Sequence, residues 1–542
     1  MVLAKNVGAS RLQRASLCLP FLALSFLLSI GISFSQKSVV AEAPDQIAPA
    51  KTPFGDFLIS RPSFPHRNFD IRDYGAKEGG TIKNTEAIRK AIQAAASTGG
   101  GRVIIPVGVW LTGAIDLENN VDLYLANGAE LLFSQDYHDY LPAVFSRHED
   151  TECYKFSSFV YANGKRNIAI TGEGVLNGQG QAWWDWKRTK RSSDERLIEM
   201  VNANVPVDQR VFDGTNDNFL RPAFFQPMNC TNVLVEGVTF KYGAFWTITP
   251  TYCDSVIVRR VKIITEGPEG HAPNGDGVDP SSSKNILIEY CEFRTGDDCV
   301  AIKSGRDKDG LRVDKPTENV VVRHCTGFQG HGGIVIGSET SGGVRNVYAS
   351  DCTFDGTDRI VRVKTARGRG GVIENMWFEH LSADTIQQEA IHVNMLYTGK
   401  RFPAQPVTKT TPTIRNLHFS DISCTYGKTY AVELLGLPEM MIKGISFSRI
   451  KISSAKGIHC VDTDSVQFTD VNVAPLRWPV IDVVDGTNID LSKVTVPAGA
   501  DPFLKIEGLH TAGIRVTQTN TAPAAKVIEM GEDVSRNAVL MQ

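Results

Sequence analysis

Four short groups of polar residues in the middle of the chain carry side chains that can do acid–base chemistry. They are Asn274-Gly275-Asp276, Gly296-Asp297-Asp298, Gly330-His331-Gly332 and Arg362-Val363-Lys364. Together they offer three carboxylates, an imidazole and two cations. Carboxylates held close together cannot all ionise easily, so one of them is expected to keep a proton at neutral pH. A proton donor beside proton acceptors is what cleavage of a glycosidic bond requires.

The basic residues add a preference for a charged substrate. Arg362 and Lys364, with Lys303 and Arg306 nearby in sequence, favour a ligand that bears carboxylates. A single Asp-Asp pair is ordinarily part of a solvated turn. The prediction of a site therefore depends on the four groups lying in successive structural repeats on one face.

A repeated pattern supplies such an arrangement. Asn, Ser or Gly is followed by apolar residues at +1 and +3, and again at +6. These register residues are Asn232, Ser255, Asn285, Asn319, Asn346, Asn375, Asn416, Gly444, Ser465 and Asn488. The alternation predicts strands with one buried face, and a short repeat that cannot bury its own face has to stack. We predict an all-β fold, a single-stranded right-handed parallel β-helix, whose recurrent Asn amides bond the turn backbone.

The register also places the polar groups relative to one another. Asp297 and His331 fall at the same position of successive coils, and Asp276 aligns with Asp298 in a neighbouring column. Stacked coils are about 5 Å apart. The register therefore predicts a compact acidic patch on one face.

One helix is predicted before the coils. Asn84 is placed as its N-cap, Ile88, Ala91, Ile92 and Ala95 form an apolar stripe, and Gly99-Gly100-Gly101 ends it. Such a helix can cover the open end of a β-stack, where strand edges would otherwise be unpaired.

The chain is divided into three segments. Residues 1–35 resemble a secretory signal peptide, although a membrane anchor is the alternative for an apolar run of this length. Residues 36–66 are predicted to be a linker, because they are rich in Pro, Ala and Ser. Residues 67–542 form the β-helix domain. The mature protein is predicted to be exported to the periplasm or the medium, with no membrane contact after signal cleavage, and to be a monomer.

Net charge and cysteine positions give no support for a nucleic-acid-binding protein or a zinc protein, and they favour free thiols. A net charge of −3 gives no indication of nucleic-acid binding. Cys291, Cys325 and Cys352 occupy the inward +6 position, and Cys424 the inward +8 position, so we predict buried free thiols. The pairing of Cys153, Cys230, Cys253 and Cys460 stays open. No Cys/His spacing matches a zinc site, and no metal is predicted.

The four polar groups resemble the motifs of glycoside hydrolase family 28, the polygalacturonase family. The family patterns Asn-Thr-Asp, Gly/Gln-Asp-Asp, Gly-His-Gly and Arg-Ile-Lys appear in order, and the likeness runs from about Phe69 to the last coils. The pattern departs from the family at Gly275, where Thr is usual. The fold that the resemblance implies is the pectin-lyase-like β-helix.

The resemblance implies inverting hydrolysis of α-1,4-galacturonosidic bonds without a metal or other cofactor. Asp297 would be the general acid, Asp276 and Asp298 would activate water, and His331 would tune the proton of the acid. The residues implied in substrate binding are Asn274, Lys303, Arg306, Arg362 and Lys364. The partner would be a pectic polysaccharide or oligogalacturonide. The presence of both Asp276 and His331 favours plain galacturonan over rhamnogalacturonan, and xylogalacturonan stays an alternative.

The loops favour action at a chain end. The segment Ala301–Arg306 resembles bacterial exo-acting members, in which a cation can hold a terminal carboxylate. The long segment from Gly178 to about Phe225 can wall off one end of a cleft. We interpret Trp183, Trp184 and Trp186 within it as core or loop anchors rather than sugar platforms.

Two other classes of protein fit the sequence less well. A pectate lyase shares the β-helix but would use calcium and an arginine base, for which the full set of acid and base motifs gives no support. A non-catalytic pectin-binding β-helix has no reason to hold like charges in adjacent coils.

Overall fold

The computed structural model describes residues 44–542 except 269, 398 and 399. The predicted signal peptide therefore lies outside the described residues. Among the helices that the structure does describe, none combines the length and apolarity needed to cross a bilayer.

A stack of parallel coils builds most of the described chain. The strand Thr231–Glu236 pairs in parallel with Asp254–Arg259, which pairs with Lys284–Glu289 and then with Thr317–Arg323. Each coil adds its strands to the edge left by the coil before it, because the apolar positions recur at a fixed register. The prediction of a parallel β-helix is confirmed.

Many strands of this long sheet alternate buried and outward-facing residues, whereas strands such as Val300–Ile302 and Ile334–Ile336 are buried throughout. The strands of the sheet are Asn68–Asp70, Gly101–Ile105, Gly108–Thr112, Val121–Leu125, Ala129–Phe133, Arg166–Gly172, Val175–Asn177, Thr231–Glu236, Thr239–Lys241, Asp254–Arg259, Lys262–Ile264, Lys284–Glu289, Glu292–Arg294, Val300–Ile302, Thr317–Arg323, Thr326–Gln329, Ile334–Ile336, Val344–Phe354, Val361–Lys364, Val372–Ile386, Ile391–Asn394, Thr413–Leu435, Ile442–Val461, Thr463–Val484, Thr487–Val494, Leu504–Glu507, Ile514–Thr517, Ile528–Met530 and Val539–Met541.

Smaller elements surround the stack. The further strands are Ala50–Thr52, Gly55–Phe57, Ile115–Asp116, Val144–His148, Thr151–Lys155, Val160–Asn163, Val211–Phe212, Phe225–Met228, Glu266–Gly267 and Gly270–His271. The α-helices are Thr85–Ser97, Gln181–Trp184, Trp186–Thr189, Arg191–Asn202 and Asp307–Val313, and the 3₁₀ turns are Ile71–Tyr74, Tyr137–Tyr140, Val207–Gln209 and Thr215–Asp217.

The recurrent Asn residues form an internal ladder, but with a different partner from the one predicted. Asn346 Nδ2 donates to Asn319 Oδ1 at 3.0 Å, and Asn416 Nδ2 donates to Asn375 Oδ1 at 2.7 Å. The amides therefore bond one another rather than the turn backbone. The φ of Asn346 is 57°, in the left-handed region that Asn tolerates better than most residues. The same residue thus turns the chain and joins adjacent coils.

The interior of the stack is apolar and holds the cysteines. Val, Ile, Leu and Phe from successive coils form one continuous core, in which Phe419, Phe447 and Phe468 stack on one another. All nine cysteines in the described part of the chain are free and buried. This confirms the thiol prediction for Cys291, Cys325, Cys352 and Cys424, and settles the four residues whose pairing was open.

The predicted helix is Thr85–Ser97, and its apolar stripe packs on the first coil. Asn84 does stand at its N-cap, but its side chain makes no cap hydrogen bond. Instead, Asn84 Oδ1 accepts from the backbone N–H of Lys77, and Asn84 Nδ2 donates to carbonyls, including that of Leu111. The position of the cap was predicted correctly, but the expected side-chain hydrogen bond to the helix was wrong. Asn84 instead bonds the neighbouring loops.

Residues 44–66 pack against the β-helix, which differs from the linker that their composition predicted. Ala50 and Phe57 belong to a cluster with outward-facing apolar residues of five coils, including Leu234 and Leu287. Arg259, a buried residue of the stack, donates to the carbonyl of Pro44. We call residues 44–66 the strap.

A long insertion lies beside the middle coils. The strands Val144–His148 and Thr151–Lys155 form an antiparallel pair, and helix Arg191–Asn202 follows. Trp183 is buried against Tyr140, and the Trp184 indole donates to the carbonyl of Gly243. These contacts agree with tryptophans that anchor the insertion.

Candidate active site

Successive coils bring the polar groups to one column of the sheet. Val278 pairs with Val300, Val300 with Ile334, and Ile334 with Val361. Asp276 comes two residues before Val278, and Asp298 comes two residues before Val300. Likewise, Asp297 comes three residues before Val300, and His331 comes three residues before Ile334. The alignment inferred from the repeat thus holds in the structure.

The three carboxylates form a tight cluster. Asp276, Asp297 and Asp298 each place one carboxylate oxygen within 4.8 Å of the others. The Thr265 hydroxyl connects the two loops that carry them, since it donates to the carbonyl of Gly275 and accepts from the N–H of Gly296. The loops are therefore held in a fixed relation.

Gly275, which departs from the family pattern, has a local explanation. A Cβ at this position would meet Thr265 Oγ1 at 2.7 Å and the carbonyl of Ala272 at 2.8 Å. These neighbours already fill the space of a side chain. The absence of Thr at 275 therefore leaves no gap in the loop.

The cluster is open on one side only. Asp276 and Asp298 are 2% and 0% exposed. The His331 side chain, by contrast, is 47% exposed, and that of Asp297 is 17% exposed. Asp276 Oδ1 and Asp298 Oδ1 have no hydrogen-bond partner among the protein groups described, so each can accept a hydrogen bond from a water or a substrate.

Two lysines neutralise part of this negative charge. Lys364 Nζ donates to Asp298 Oδ2 at 2.8 Å. Lys303 Nζ lies 3.5 Å from Asp276 Oδ2 and 3.3 Å from Glu339 Oε2. Both ammonium groups are nearly buried. Buried carboxylates at such spacing need nearby positive charge, because their repulsion is weakly screened.

The pKa values of the cluster diverge. Burial and the charge of Asp297 raise the pKa of Asp276 well above its usual value. Burial also raises the pKa of Asp297, but the His331 hydrogen bond and the Lys364 charge outweigh it, so the pKa of Asp297 is lowered. His331 Nδ1 lies 3.0 Å from Asp297 Oδ1, and this bond raises the pKa of His331 to about 9 despite partial burial.

Crowding and burial therefore favour a proton on Asp276 over one on Asp297 in the substrate-free protein, because the pKa of Asp276 is raised and that of Asp297 is lowered. The pKa of Asp297 is lowered despite burial because His331 hydrogen-bonds the Asp297 carboxylate and stabilises its negative charge. The Asp297–His331 pair titrates as a unit and holds one proton at neutral pH.

The remaining predicted binding residues lie at different distances from the acids. Arg362 faces outward one coil beyond His331, and its Nε has no hydrogen-bond partner in the described part of the protein. Asn274 Oδ1 accepts a hydrogen bond from Arg221 at 2.8 Å. Arg306 is paired with Glu149 of the insertion and with Asp307, and so is not brought onto the carboxylate cluster.

Buried aromatic residues lie on the N-terminal side of the acids. Trp246 comes two residues before Ile248, so it occupies the coil just before Asp276 in the same column. It is 5% exposed, with the Lys303 ammonium over its ring at 4.3 Å. Phe245 stacks on Trp246 and is covered by the ring of His148. We call Trp246, Phe245 and His148 the aromatic wall.

Several residues of the site were missed from sequence. Trp246 could have been found, because it obeys the same register as Asp276. Glu339 and Arg221 could not, because both lie on loops outside the repeat. The acidic cluster also has the spacing of a cation site, as do Glu389, His392 and Glu433. At the acidic cluster, Lys303 and Lys364 already lie beside two of the three carboxylates.

Comparison with known proteins agrees with these motifs. The sequence profile described as "Glycosyl hydrolases family 28" matches residues 210–468. A hyperthermoactive exopolygalacturonase from Thermotoga maritima has 36% sequence identity and a TM-score of 0.71, covering 77% of this chain and 94% of its own. The chain belongs to glycoside hydrolase family 28. It is therefore a polygalacturonase-type glycoside hydrolase, for which the family implies a pectic substrate.

Other family 28 relatives span most of the chain. A probable polygalacturonase from Vitis vinifera is 27% identical over 416 residues, which are 73% of this chain and 77% of the relative. An exo-poly-alpha-D-galacturonosidase from Dickeya chrysanthemi is 27% identical over 439 residues, 75% of this chain and 71% of the relative. A Yersinia enterocolitica family 28 exopolygalacturonase, at 22% identity and a TM-score of 0.66, shares the fold; the match covers 78% of each chain.

Proposed function

We propose that this family 28 protein is an exo-acting polygalacturonase that hydrolyses α-1,4-galacturonosidic bonds of pectin with inversion at the anomeric carbon. The observation that carries the proposal is the cluster of Asp276, Asp297 and Asp298 with Lys303 and Lys364 beside it. Three carboxylates supply an acid and bases, and the cations suit a uronate ring.

Asp297 is assigned as the general acid because it faces the opening and bonds His331. It gives its proton to the leaving glycosidic oxygen as the C–O bond breaks. Asp276 and Asp298 take a proton from the water that attacks the anomeric carbon. Their unpartnered Oδ1 atoms are suited to hold that water.

Substrate binding supplies the proton shift that this assignment needs. In the free protein, the positive charge of Lys364 lowers the pKa of Asp297. A uronate carboxylate that binds Arg362 and Lys364 offsets this charge. The pKa of Asp297 then rises. Because the three carboxylate oxygens lie within 4.8 Å, the proton held by Asp276 can pass to Asp297 inside the cluster.

Action at a chain end is supported by the asymmetry of the cleft. On the N-terminal side, the aromatic wall covers the floor within one coil of Asp276. The backbone N–H of Gly305 and the Ser281 hydroxyl both bond Asp150, so the insertion is fastened to the coils here. On the C-terminal side, side chains of the same column, such as Lys456, are exposed. This asymmetry supports a polymer that extends from the acids toward the C-terminal coils.

The test is a product time course on oligogalacturonides of defined length. Exo action releases one short product from the first minutes, whereas a spread of intermediate lengths would contradict it. Unsaturated products, or loss of activity with EDTA, would indicate a calcium-dependent lyase instead. Absence of any cleavage would favour a non-catalytic pectin-binding protein.

Stereochemistry needs its own measurement. Carboxyl groups of inverting glycosidases are ordinarily about 6.5–9.5 Å apart, and those of retaining enzymes about 5–5.5 Å. The 4.8 Å limit joins single oxygen atoms of the cluster and is not the separation of the carboxyl groups, so inversion is inferred from the family. Proton NMR of the first-formed product should show the opposite anomer to the substrate, and a retained anomer would reject the mechanism.

The same proposal includes the place of action. We infer that residues 1–35 direct export, that the protein meets pectin in the periplasm or the medium, and that it acts as a monomer. Cell fractionation with size-exclusion chromatography tests both points. Cytoplasmic retention would reject the first, and a larger assembly the second.

A further inference from the structure

A second cluster of aromatic and basic residues lies on the acid-bearing face, several coils away. Tyr430, Lys456, Arg477 and Trp478 line a cavity of about 170 Å³, which Asp482 also lines. The Lys456 and Trp478 side chains are exposed, and Arg477 is exposed as well. We call these four residues the distal cluster.

The pairing register connects the distal cluster with the acids. Val300 pairs with Ile334, then Val361, Ile391, Val432 and Ile458 in successive coils. Asp298, Tyr430 and Lys456 each come two residues before a member of this series. They therefore share one column of the sheet. At about 4.8 Å per coil, Tyr430 is roughly 19 Å from Asp298 along the stack.

A continuous polar floor fills the interval. Arg359 bonds Glu389 and Gln388, and the Thr429 hydroxyl donates to Glu389 at 2.9 Å. These side chains are hydrogen-bonded to one another and belong to consecutive coils. A sugar polymer that leaves the acids toward the C-terminal coils would follow this floor to Tyr430.

The chemistry of the distal cluster fits uronate units. The Lys456 ammonium lies 4.5 Å from the centre of the Tyr430 ring, whose plane is fixed by stacking on His459. No carboxylate in the described residues lies within ion-pairing distance of Lys456 or Arg477. Two exposed cations without acidic partners, beside an exposed indole, match a ligand with carboxylates and apolar ring faces.

We propose that the distal cluster is a remote binding site for the polygalacturonate chain being cleaved, and that it holds the part of the polymer beyond the leaving group. The inference rests on the proposed function for the identity of the polymer. Its consequence is a preference for long, de-esterified chains over short ones, because only a long chain reaches both the acids and the distal cluster.

Kinetics with substrates of two lengths test the proposal. The double variant Lys456→Gln/Arg477→Gln should raise KM for long polygalacturonate at least about threefold. The ratio of kcat/KM between the polymer and the trimer should fall by the same factor. Lys451→Gln, an exposed cation on the same strand but outside the cavity, is the matched control. An equal loss on trimer and polymer, or no loss on either, would overturn the proposal.

Two further measurements identify the chemical class of the ligand: the salt dependence of KM and the preference between esterified and de-esterified pectin. Raising the salt concentration should narrow the gap between wild type and double variant, since exposed charges are screened. Wild type should bind highly methyl-esterified pectin less tightly than polygalacturonate, and the double variant should lose this discrimination. If Trp478→Ala weakens binding of both polymers while the double variant changes neither, the cluster binds neutral sugar faces and the uronate assignment is wrong.

A binding measurement keeps this inference separate from the proposed activity. Mobility of the folded proteins in native gels that contain polygalacturonate requires no turnover. Retardation of wild type that is reduced in the double variant supports the distal cluster even if no hydrolysis is found. Equal mobility of wild type and double variant would reject the cluster, whatever the enzyme activity.

Discussion

The Asp297–His331 pair is the charged pair of the site that is exposed to solvent. The neighbouring Asp276 and Asp298 are buried, whereas this pair faces the opening. Replacing Asp297 by Asn keeps the shape of the side chain and removes the acid. We expect kcat to fall at least about a hundredfold, as for loss of a general acid.

Steady-state kinetics on polygalacturonate measure this change. Asp421→Asn is the control, because Asp421 is a partly exposed carboxylate paired with Arg449 in a later coil. It should retain normal kcat. A near-normal kcat in the Asp297→Asn protein, at unchanged thermal stability, would remove Asp297 from the acid role.

The raised pKa of His331 gives a second prediction at this scale. Its value of about 9 follows from the Asp297 hydrogen bond, and the unfolded value is about 6.5. The stabilisation from protonated His331 is therefore complete below about pH 6.5 and is lost as pH rises through about 9. The same deprotonation should lower kcat/KM on the alkaline side.

Melting temperatures of wild type and His331→Gln at pH 6 and pH 10 measure the effect. The difference between the two proteins should shrink at pH 10, and the alkaline decline in kcat/KM near pH 9 should be absent from the variant. His138→Gln, a change at an exposed histidine outside the site, is the control. A difference that grows with pH would contradict the assigned sign.

Individual residues show what could be predicted from sequence at the site. The alignment of Asp276 with Asp298 followed from apolar neighbours, because those neighbours fix the strand register. The location of the proton did not follow. It depends on which carboxylate receives the His331 bond and on distances to Lys303 and Lys364, and these are set by side-chain geometry.

The Asn ladder is the element that joins turn geometry to coil stacking. Asn346 donates to Asn319 and accepts from Asn375, and its φ is 57°. Replacement by Ala removes both amide bonds and places a less tolerant residue in the left-handed region. We expect a loss of about 2–3 kcal/mol in the free energy of unfolding.

Asn346→Gly separates the two causes, because Gly accepts the backbone angle but cannot bond. Gly444 occupies the same register position in a later coil. Denaturant unfolding should rank wild type above Asn346→Gly and Asn346→Gly above Asn346→Ala. Equal stability of all three proteins would show that the ladder contributes nothing measurable.

The strands could be predicted well because their apolar period is set by burial on one face. The ladder partner could not. A side-chain amide can bond the turn backbone or the amide of the next coil, and the pattern in the chain is the same for both. Only the 2.7–3.4 Å contacts between successive amides distinguish them.

At the scale of the whole molecule, the strap is the feature that composition predicted least well. Its Pro, Ala and Ser content is typical of a linker, yet a few apolar residues, such as Phe57 and Phe54, attach it to the outer face of the stack. The coils there present Leu234, Ile257 and Leu287 outward. A continuous apolar strip of this kind needs a cover.

Phe57 and Leu58 test the strap with adjacent residues. Phe57 is 8% exposed and Leu58 is 71% exposed. Phe57→Ala should lower the free energy of unfolding by about 3 kcal/mol, since it removes a packed aromatic ring. Leu58→Ala should have no measurable effect in the same thermal and denaturant unfolding experiments. Equal effects from the two substitutions would mean that the strap does not stabilise the fold.

The aromatic wall has a kinetic consequence if the protein acts at chain ends, as proposed. Trp246 and Phe245 are buried on the N-terminal side of the acids. We then expect a severed terminal sugar to have no exit past the wall while the polymer still fills the cleft. The polymer has to withdraw before each new cut. The enzyme should therefore work distributively, shortening all chains of a uniform sample together, and size analysis after partial digestion should show one narrowing population rather than intact and fully degraded chains side by side.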